Sequence, residues 1–299
     1  MITSNQKVLS KEQLLRKLWP KGKKFHIQSD SFISKYQNKI IVIKYGGYAL
    51  TKSHLVKSFA KNITLLNKLG IKAVVVHGGG LQIENELRKR KIQDTEYQGL
   101  RITTKKILLI VKDVLARKLN KMIVNEICKS GGLSKSVNGI HKKIIKAKFI
   151  MDGKLGFVGD PTKLDIAYLN KLIRQGIVPI ISPIGHDNYN NSYNINADTA
   201  AGFIAENLKA ERLLLLTDVA GVLDKNKKLI PELNYKKAFE YIKKGTIKGG
   251  MIPKIKACFS TLRKGAKGVA LIDGRKSDAV LMELLTERGA GTLIKKIKQ

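Results

Sequence analysis

Short apolar runs rich in β-branched residues alternate along the chain with longer segments in which apolar residues recur every three or four positions. The apolar runs predict strands, at residues 39–44, 72–76, 142–149, 178–181 and 212–217. The amphipathic segments predict helices, at residues 54–69, 81–91, 107–129 and 166–175 and directly after Asp198. Apolar strands separated by helices indicate parallel pairing with both faces of the sheet covered. The pattern therefore predicts an α/β fold, a three-layer α/β/α sandwich with a mainly parallel central sheet.

The first 38 residues stand apart from this alternation. Ser10 and Gln13 occupy the N-cap and capping-box positions of a short predicted helix. Apolar residues line one side of that helix, namely Leu14, Leu15 and Leu18, and Trp19-Pro20 ends it. Because an isolated helix of about ten residues is marginal in water, we expect it to pack on its own domain or on a neighbouring subunit.

Lysine dominates the charged residues. The chain has 57 Lys and Arg against 23 Asp and Glu, a formal net charge of +34, and only ten of the 57 are arginine. A nucleic-acid partner is one interpretation of such a charge. However, the lysines are spread over the whole length, and arginine, the residue best suited to bidentate base and phosphate recognition, is scarce. We therefore interpret the lysines as solvent-exposed surface residues and not as a nucleic-acid site. Their positive field should attract anionic substrates.

The cysteines and histidines indicate neither a disulfide framework nor a metal site. Cys128 and Cys258 are far apart in sequence, which is typical of a reducing compartment, the cytoplasm or an organelle stroma or matrix. The five histidines lack the spacing of metal ligands, so we predict no metal site built from side chains. The apolar runs fall well short of the roughly 20 residues that span a bilayer, so no membrane segment is expected.

Glycines directly follow two of the predicted strands, as Gly46-Gly47 and as Gly78-Gly79-Gly80. Ligands bind at the carboxyl ends of the strands in open parallel sheets. Glycine at such a position lets backbone N–H groups approach phosphate oxygens. The chain contains no GxxxxGK[ST] P-loop, no protein-kinase motif set and no strand-turn-helix GxGxxG. Taken alone, either turn is as typical of a tight strand-to-helix connection as of a phosphate-binding site.

A set of segments in fixed order is more specific than either turn. The segments are KYGG at 44–47, HGGG at 77–80, GLRIT at 99–103, YNINADTAAG at 193–202, LTDVAGV at 216–222, GGMIPK at 249–254 and GAGTLI at 289–294. In this order they resemble the N-acetylglutamate kinase branch of the amino acid kinase family, over residues 39–294. The resemblance implies phosphorylation of the side-chain carboxylate of N-acetyl-L-glutamate by ATP, in arginine biosynthesis. It also implies an N-terminal extension (1–38), an amino-acid-substrate lobe (39–208) and a nucleotide lobe (209–299).

The same resemblance implies a cationic site for phosphoryl transfer, which depends on positioning and charge stabilisation. Lys44 and Lys254 match the lysines that flank the transferring group, and Asp198 matches the acid that orients both. Asp198 could instead, or also, cap the helix that follows it. Backbone N–H groups at the glycine turns would donate to the phosphoryl oxygens, namely those of Gly46, Gly47 and Gly79.

Further positions match ligand-binding residues of the family. Gly79 and Gly80 match the turn that lies against the amino acid, and Arg101 and Asn194 match the residues that bind its α-carboxylate, for which a guanidinium fork is well suited. The adenine and ribose region is matched by Thr217, Asp218, Gly221, Gly250 and Met251. Mg²⁺ would be held chiefly by ATP oxygens and water, so no protein ligand is assigned to it.

The chain also departs from the family pattern. Residues 132–139 stand where members carry a longer hairpin insert, so a shortened hairpin is expected there. Tyr48 is bulky for a position expected to line the site, and Thr104 stands where an aspartate is usual. The N-terminal helix resembles the extra helix of arginine-inhibited hexameric members, which implies a homodimer or hexamer with arginine as a feedback inhibitor.

Two other classes of function compete with this interpretation. One is a related acyl-phosphate-forming kinase that acts on glutamate or aspartate, against which the YNINAD segment and Arg101 count. The other is a degenerate kinase fold that binds an amino acid or contacts RNA. Retention of Lys44, Asp198 and Lys254 favours an active enzyme.

Overall fold

A computed structural model describes residues 11–20, 22 and 29–296 of the chain. Its strands are β1 (Ile40–Tyr45), β2 (Lys72–His77), β3 (Glu96–Tyr97), β4 (Leu100–Arg101), β5 (Ser134–Val137), β6 (Ile145–Phe149), β7 (Gly159–Leu164), β8 (Val178–Ile181), β9 (Ile184–His186), β10 (Ser192–Asn194), β11 (Arg212–Thr217), β12 (Glu232–Leu233), β13 (Val269–Asp273) and β14 (Gly291–Ile294).

The α-helices of the described residues are α1 (Lys11–Leu18), α2 (Ser29–Tyr36), α3 (Ser53–Lys68), α4 (Gly80–Lys89), α5 (Lys105–Lys112), α6 (Asn120–Lys129), α7 (Ile166–Arg174), α8 (Ala197–Asn207), α9 (Tyr235–Lys243), α10 (Met251–Arg263) and α11 (Ala279–Leu285). The expected helix over 107–129 is interrupted, because a π-helical turn, Asp113–Leu119, separates α5 from α6.

An eight-stranded central sheet has the strand order β12-β14-β13-β11-β1-β2-β8-β5. Its pairs are parallel except β13 with β14. Ile43 of β1 lies between Leu214 of β11 and Val75 of β2, which fixes the register of the central strands. The predicted α/β class with a mainly parallel sheet is therefore confirmed.

Alternate residues of the central strands enter two separate hydrophobic cores. Ile41 and Ile43 pack on one face of the sheet, with the helices α3 to α6 and α11, whereas Val42 packs on the other face, with α7 to α10. Because both faces are covered, successive residues in the middle of these strands are apolar, as in parallel strands between helix layers. This is the predicted three-layer arrangement.

Residues 132–139 do not form the expected shortened hairpin. Their strand, β5, is the parallel edge of the central sheet and pairs with β8. The antiparallel hairpin lies further on, where β6 pairs with β7 in a separate sheet of order β10-β9-β6-β7. Sequence reasoning failed here because a four-residue edge strand has an exposed side and no continuous apolar run.

The N-terminal segment packs on its own chain, the first of the two expected alternatives. Leu15 of α1 is buried in the core that contains α3. Helix α2 was not predicted, and its Ile33 is also buried in this core. The proposed N-cap Ser10 lies outside the described residues. No helix among the described residues has the length and apolar character needed to cross a membrane.

Candidate active site

Two glycine turns meet at the carboxyl ends of β1 and β2. The N–H of Gly78 donates to the carbonyl of Tyr45 over 2.8 Å. A Cβ atom on Gly46 would lie 3.3 Å from both the Cα and the N of Gly78, so the two backbones touch without an intervening side chain. The stem of Lys44 covers this contact, since its Cε would lie 3.5 Å from that Cβ. A side chain at position 46 would thus press against the backbone of Gly78.

A cavity of about 410 Å³ opens beside these turns. Six of the residues predicted for the site line it: Lys44, Gly47, Gly79, Gly80, Arg101 and Asn194. Tyr48 is not among the lining residues. Tyr48 is 44% exposed and its ring lies 5.1 Å from the ammonium of Lys52, so its bulk does not line the cavity as expected. The cavity has the position that ligand sites take in open parallel sheets.

Lys44 is held by Asp198, whose carboxylate oxygen lies 3.0 Å from the lysine Nζ. Asp198 is in the first turn of α8, but the side chain that caps this helix is that of Asn196, which accepts from the N–H groups of residues 198 and 199. The alternative that Asp198 caps the helix is therefore wrong. The Asp198 carboxylate pairs instead with Lys44, the cation that lines the cavity.

Lys254 lies on α10, in the first turn of the helix. Its Nζ donates to Thr217 Oγ1 over 3.2 Å, so its own hydrogen bond goes to the end of β11 and not to Asp198. Both groups affect the pKa of the Cys258 thiol, one turn further along α10. The pKa of this thiol is raised to about 12, chiefly by burial and also by the Asp198 carboxylate, while the Lys254 ammonium acts in the opposite direction. Asp198 and Lys254 thus both influence the charge state of one buried thiol.

Arg101 is oriented by a residue that the sequence did not single out. Its Nε and Nη2 lie 2.7 and 2.8 Å from the two carboxylate oxygens of Asp94, and Nη2 also donates to the Gly80 carbonyl over 3.4 Å. Asn194 is oriented similarly, because its Nδ2 donates to Thr103 Oγ1 over 3.1 Å. Thr104 caps α5 by accepting from the N–H of Ile107.

The residues predicted for the nucleotide surround the ends of β11 and α10. Thr217 ends β11, and its hydroxyl donates to Asp218 over 3.1 Å. Gly250 is the N-cap of α10 and Met251 is the first residue of that helix. Gly221 has φ +135°, and a Cβ there would meet the Thr292 side chain at 2.7 Å, so packing alone requires glycine at this position.

Sequence reasoning also missed a pair beside this region, Asp273 and Arg275. The guanidinium of Arg275 donates to both carboxylate oxygens of Asp273 and holds the pKa of that carboxyl below its usual range. Asp273 is the last residue of β13, the neighbour of β11, and the N–H of Gly274 donates to the Thr217 carbonyl over 2.7 Å. Among the described residues, no group of three or more His, Cys, Asp and Glu could hold a metal ion.

A lysine-lined cavity at the carboxyl ends of parallel strands, with glycine turns on one side and a helix N-terminus on the other, has the components that phosphoryl-transfer enzymes use. The chain belongs to the amino acid kinase family, whose family model matches residues 39–273. It is 46% identical over 276 residues to the acetylglutamate kinase of Afipia carboxidovorans, covering 88% of this chain and 94% of that one. The acetylglutamate kinase of Bradyrhizobium diazoefficiens matches with the same identity and coverage.

Solved structures share the fold at lower sequence identity. N-acetylglutamate synthase from Neisseria gonorrhoeae, complexed with coenzyme A and N-acetyl-glutamate, superposes with a TM-score of 0.81 at 22% identity, over 91% of this chain and 63% of that one. Carbamate kinase from Giardia lamblia bound to AMP-PNP superposes with a TM-score of 0.63 at 16% identity, over 87% of this chain and 99% of that one. At these identities the likeness concerns the fold alone.

Proposed function

We propose that this chain is an acetylglutamate kinase, which transfers the γ-phosphoryl group of ATP to the side-chain carboxylate of N-acetyl-L-glutamate in arginine biosynthesis. The observation that carries the proposal is one cavity in which Lys44, held by Asp198, and Arg101, held by Asp94, face the same space. A substrate with two carboxylates needs two separate cations, one for the reacting carboxylate and one for the other. Relatives that are 46% identical over 88% of the chain carry this name.

The amino-acid end of the site fixes the substrate. Arg101 and Asn194 bind the α-carboxylate, and Gly79 and Gly80 lie against the substrate backbone. Because Asp94 and Thr103 already hold these two side chains, little side-chain entropy is lost when the ligand binds. The reacting carboxylate is thereby presented to the glycine turns and Lys44.

Phosphoryl transfer then rests on charge stabilisation. Lys44 neutralises charge on the transferring group from the side of β1, and Lys254 does so from the side of α10. The N–H groups of Gly46, Gly47 and Gly79 donate to the phosphoryl oxygens. Mg²⁺ enters with ATP and is bound mainly by phosphate oxygens and water. Lys44 and Lys254 are the cations that the chain itself supplies.

The nucleotide binds on residues 209–299, the nucleotide lobe, while 39–208 form the amino-acid-substrate lobe. Adenine and ribose contact residues around the ends of β11 and α10, namely Thr217, Asp218, Gly221, Gly250 and Met251. The N-terminus of α10 adds favourable partial charge beside the phosphates. Both cysteines are free, so we place the enzyme in a reducing compartment, the cytoplasm or an organelle stroma or matrix.

The test is ATP- and Mg²⁺-dependent formation of an acyl phosphate from N-acetyl-L-glutamate, trapped with hydroxylamine. Wild type should give hydroxamate, Lys44→Ala almost none, and Lys57→Ala, which changes an exposed lysine of α3, as much as wild type. Product with free glutamate or aspartate but not with N-acetylglutamate would establish the related acyl-phosphate kinase instead. No product with any of them would leave an amino-acid-binding protein, and a salt-dependent gel shift would then test RNA contact.

We further propose that arginine inhibits this enzyme at a second cavity. This cavity, of about 610 Å³, lies between α2 and the segment from α11 to β14. It presents Glu232, Glu283 and Glu287 for a guanidinium, and Lys35 and Arg212 for an α-carboxylate. Burial raises the pKa of the Glu283 carboxyl, and a cationic ligand beside it would favour the charged carboxylate. Inhibition by arginine in wild type and its loss in Glu283→Gln are expected, and full activity of wild type in saturating arginine would contradict the proposal.

The quaternary structure belongs to the same proposal, as a homodimer or a hexamer. Because α1 packs on its own chain through Leu15, any assembly through this helix uses its remaining surface. Sedimentation of the full chain should show a homo-oligomer, and a monomer at working concentration would contradict it.

A further inference from the structure

A buried polar cluster of three side chains supports the Gly78–Gly80 turn. It consists of His77, Asn120 and Ser182, which are 0%, 0% and 1% exposed. They come from three elements, the end of β2, the first residue of α6 and the residue after β8. None of the three lines the cavity. Buried polar groups of this kind carry a large cost unless their hydrogen bonds are made.

The hydrogen bonds of the cluster run in one direction. His77 Nδ1 lies 3.0 Å from the Gly78 carbonyl oxygen, which can only accept, so Nδ1 carries the proton and Nε2 is an acceptor. Ser182 Oγ lies 3.0 Å from Nε2 and 3.3 Å from the Leu115 carbonyl oxygen, and we assign its single hydrogen to the nearer acceptor, Nε2. Asn120 Nδ2 donates in turn to Ser182 Oγ over 3.0 Å and to the Ile180 carbonyl over 2.8 Å. The donors thus form a chain from Asn120 through Ser182 and His77 to Gly78, in which each bond strengthens the next.

The orientation of Gly78 determines that of Gly79. In a trans peptide unit the C=O and the following N–H point in opposite directions. The Gly78 carbonyl points at the buried ring of His77. The N–H of Gly79 therefore points away from the cluster, and Gly79 itself lines the cavity.

The opposite side of the turn is fixed by the π-helical segment. A Cβ atom on Gly79 would come within 2.6 Å of the side chains of Leu115 and Leu119, so this residue is pressed against them. The Leu115 carbonyl accepts from the backbone N–H of Asn120 across the π turn and lies 3.3 Å from Ser182 Oγ. π-Helical turns often occur at functional sites, and this one ties the leucines and the polar cluster to a single backbone.

We propose that His77, supported by Asn120 and Ser182, is a positioning residue of the phosphoryl-transfer site. Its Nδ1–H holds the carbonyl of Gly78 and thereby aims the N–H of Gly79 at the transferring phosphoryl group. The inference rests on the proposed function for the identity of that group. A displaced Gly78 would also disturb Gly46 and Lys44, because the two glycine turns are in contact.

Two amide side chains separate the functions of the ring nitrogens. Asparagine places its amide nitrogen near the position of Nδ1, whereas glutamine reaches the position of Nε2. His77→Gln should lower kcat about 100-fold, because small misplacements at a reacting centre have effects of this size, with the KM for each substrate within about threefold of wild type. His77→Asn should restore kcat to within about tenfold of wild type. Ser182→Ala keeps the ring and removes the nearer donor to Nε2, leaving Asn120 Nδ2 at 3.3 Å, and its kcat should fall between those of the two variants.

Stability is controlled separately. Asn62→Ala removes a hydrogen bond made by another buried side chain, the one of 2.9 Å to Asp278, without touching the turn. It should lower the melting temperature and leave kcat unchanged. If both His77 variants fail to fold, Ser182→Ala decides the question, since an unchanged kcat in that variant overturns the proposal. Equal kcat values for His77→Gln and wild type also overturn it.

A binding readout keeps this proposal distinct from the proposed function. In protein labelled with ¹⁵N-glycine, addition of AMP-PNP should shift the Gly79 amide resonance in wild type and in His77→Asn, and not in His77→Gln. A shift in wild type without phosphorylation of N-acetylglutamate would sink the proposed substrate and uphold the positioning of Gly79. Absence of a shift in wild type at saturating AMP-PNP would show that the Gly79 N–H does not face the nucleotide, and the inference would fail.

Discussion

The carboxylate of Asp94 binds the guanidinium of Arg101 in a bidentate pair, with 2.7 Å between Nε and Oδ1 and 2.8 Å between Nη2 and Oδ2. The Arg101 side chain is only 11% exposed. Since Asp94 engages two of the three guanidinium nitrogens, Nη1 is the one that we expect to meet a substrate carboxylate. Asp94 therefore determines the direction from which Arg101 reaches into the cavity.

Asp94→Asn should weaken binding of the amino-acid substrate. The amide oxygen can accept only one of the two bonds and carries no charge, so Arg101 loses its fixed orientation. We expect the KM for N-acetyl-L-glutamate to rise about tenfold with kcat little changed, because the α-carboxylate is remote from the reacting atoms. Steady-state kinetics measure this. Glu126→Gln, which breaks the surface pair with Lys129, is the control, and an unchanged KM in Asp94→Asn would contradict the assignment.

Asp198→Asn should lower kcat without unfolding the protein. The carboxylate lies 3.0 Å from Lys44 Nζ, and its neutral analogue no longer fixes the ammonium. We expect a loss of about 100-fold in kcat, the size typical of a misplaced catalytic group. The melting temperature should stay close to that of wild type, because Asn196 caps the helix. A large drop in stability with kcat retained would assign Asp198 a structural role.

Asn196→Ala is the complementary change at the same helix. Its Oδ1 accepts from two backbone N–H groups, of Asp198 at 2.9 Å and of Thr199 at 3.1 Å. Removal of an N-cap of this kind costs about 1 kcal/mol of stability. Urea unfolding followed by far-UV circular dichroism should show a lower midpoint with an unchanged slope. If the midpoint stays at the wild-type value, another group caps the helix.

The central strands could be predicted from the sequence because both of their faces are buried. The predicted strand at 178–181 is β8 itself, and β11 coincides with 212–217. Elements that depend on tertiary contacts were missed. Helix α2 has only a few apolar residues and is held by the burial of Ile33 in a core formed by later segments. The π turn, Asp113–Leu119, leaves the spacing of apolar residues almost unchanged, so the pattern continued through it.

The residues of the candidate site also fall into two groups, those that could be predicted from the sequence and those that depend on tertiary contacts. Residues that belong to motifs at strand ends could be chosen from the sequence, and the fold gathers six of them around one cavity. Their supporting partners could not. Asp94 reaches Arg101 through the β3–β4 hairpin, and Ser182 reaches His77 across 105 positions in the sequence, where parallel strands bring distant segments together. No local pattern marks such pairs, because they exist only in the folded chain.

The buried ring of His77 should make the stability of the protein sensitive to mild acid. Burial lowers the pKa of His77 from 6.5 to about 4, whereas the ring in the unfolded chain keeps its ordinary pKa. Between these two values the unfolded state binds a proton that the folded state does not, so the free energy of unfolding falls as the pH falls through this window. Above about pH 7 the ring is neutral in both states and does not lower the free energy of unfolding. At pH 5 the free energy of unfolding is lower by about 2 kcal/mol.

Urea unfolding at pH 8 and pH 5 measures this loss directly. His77→Asn has no titrating ring, so its free energy of unfolding should decline less between the two pH values, by about the same 2 kcal/mol, whatever its stability at pH 8. The neighbours of the ring, Asn120 and Ser182, do not titrate, so the difference between wild type and variant isolates the histidine. Parallel declines in the two proteins would mean that the ring accepts a proton in the folded state, and the donor chain ending at Gly78 would have to be abandoned.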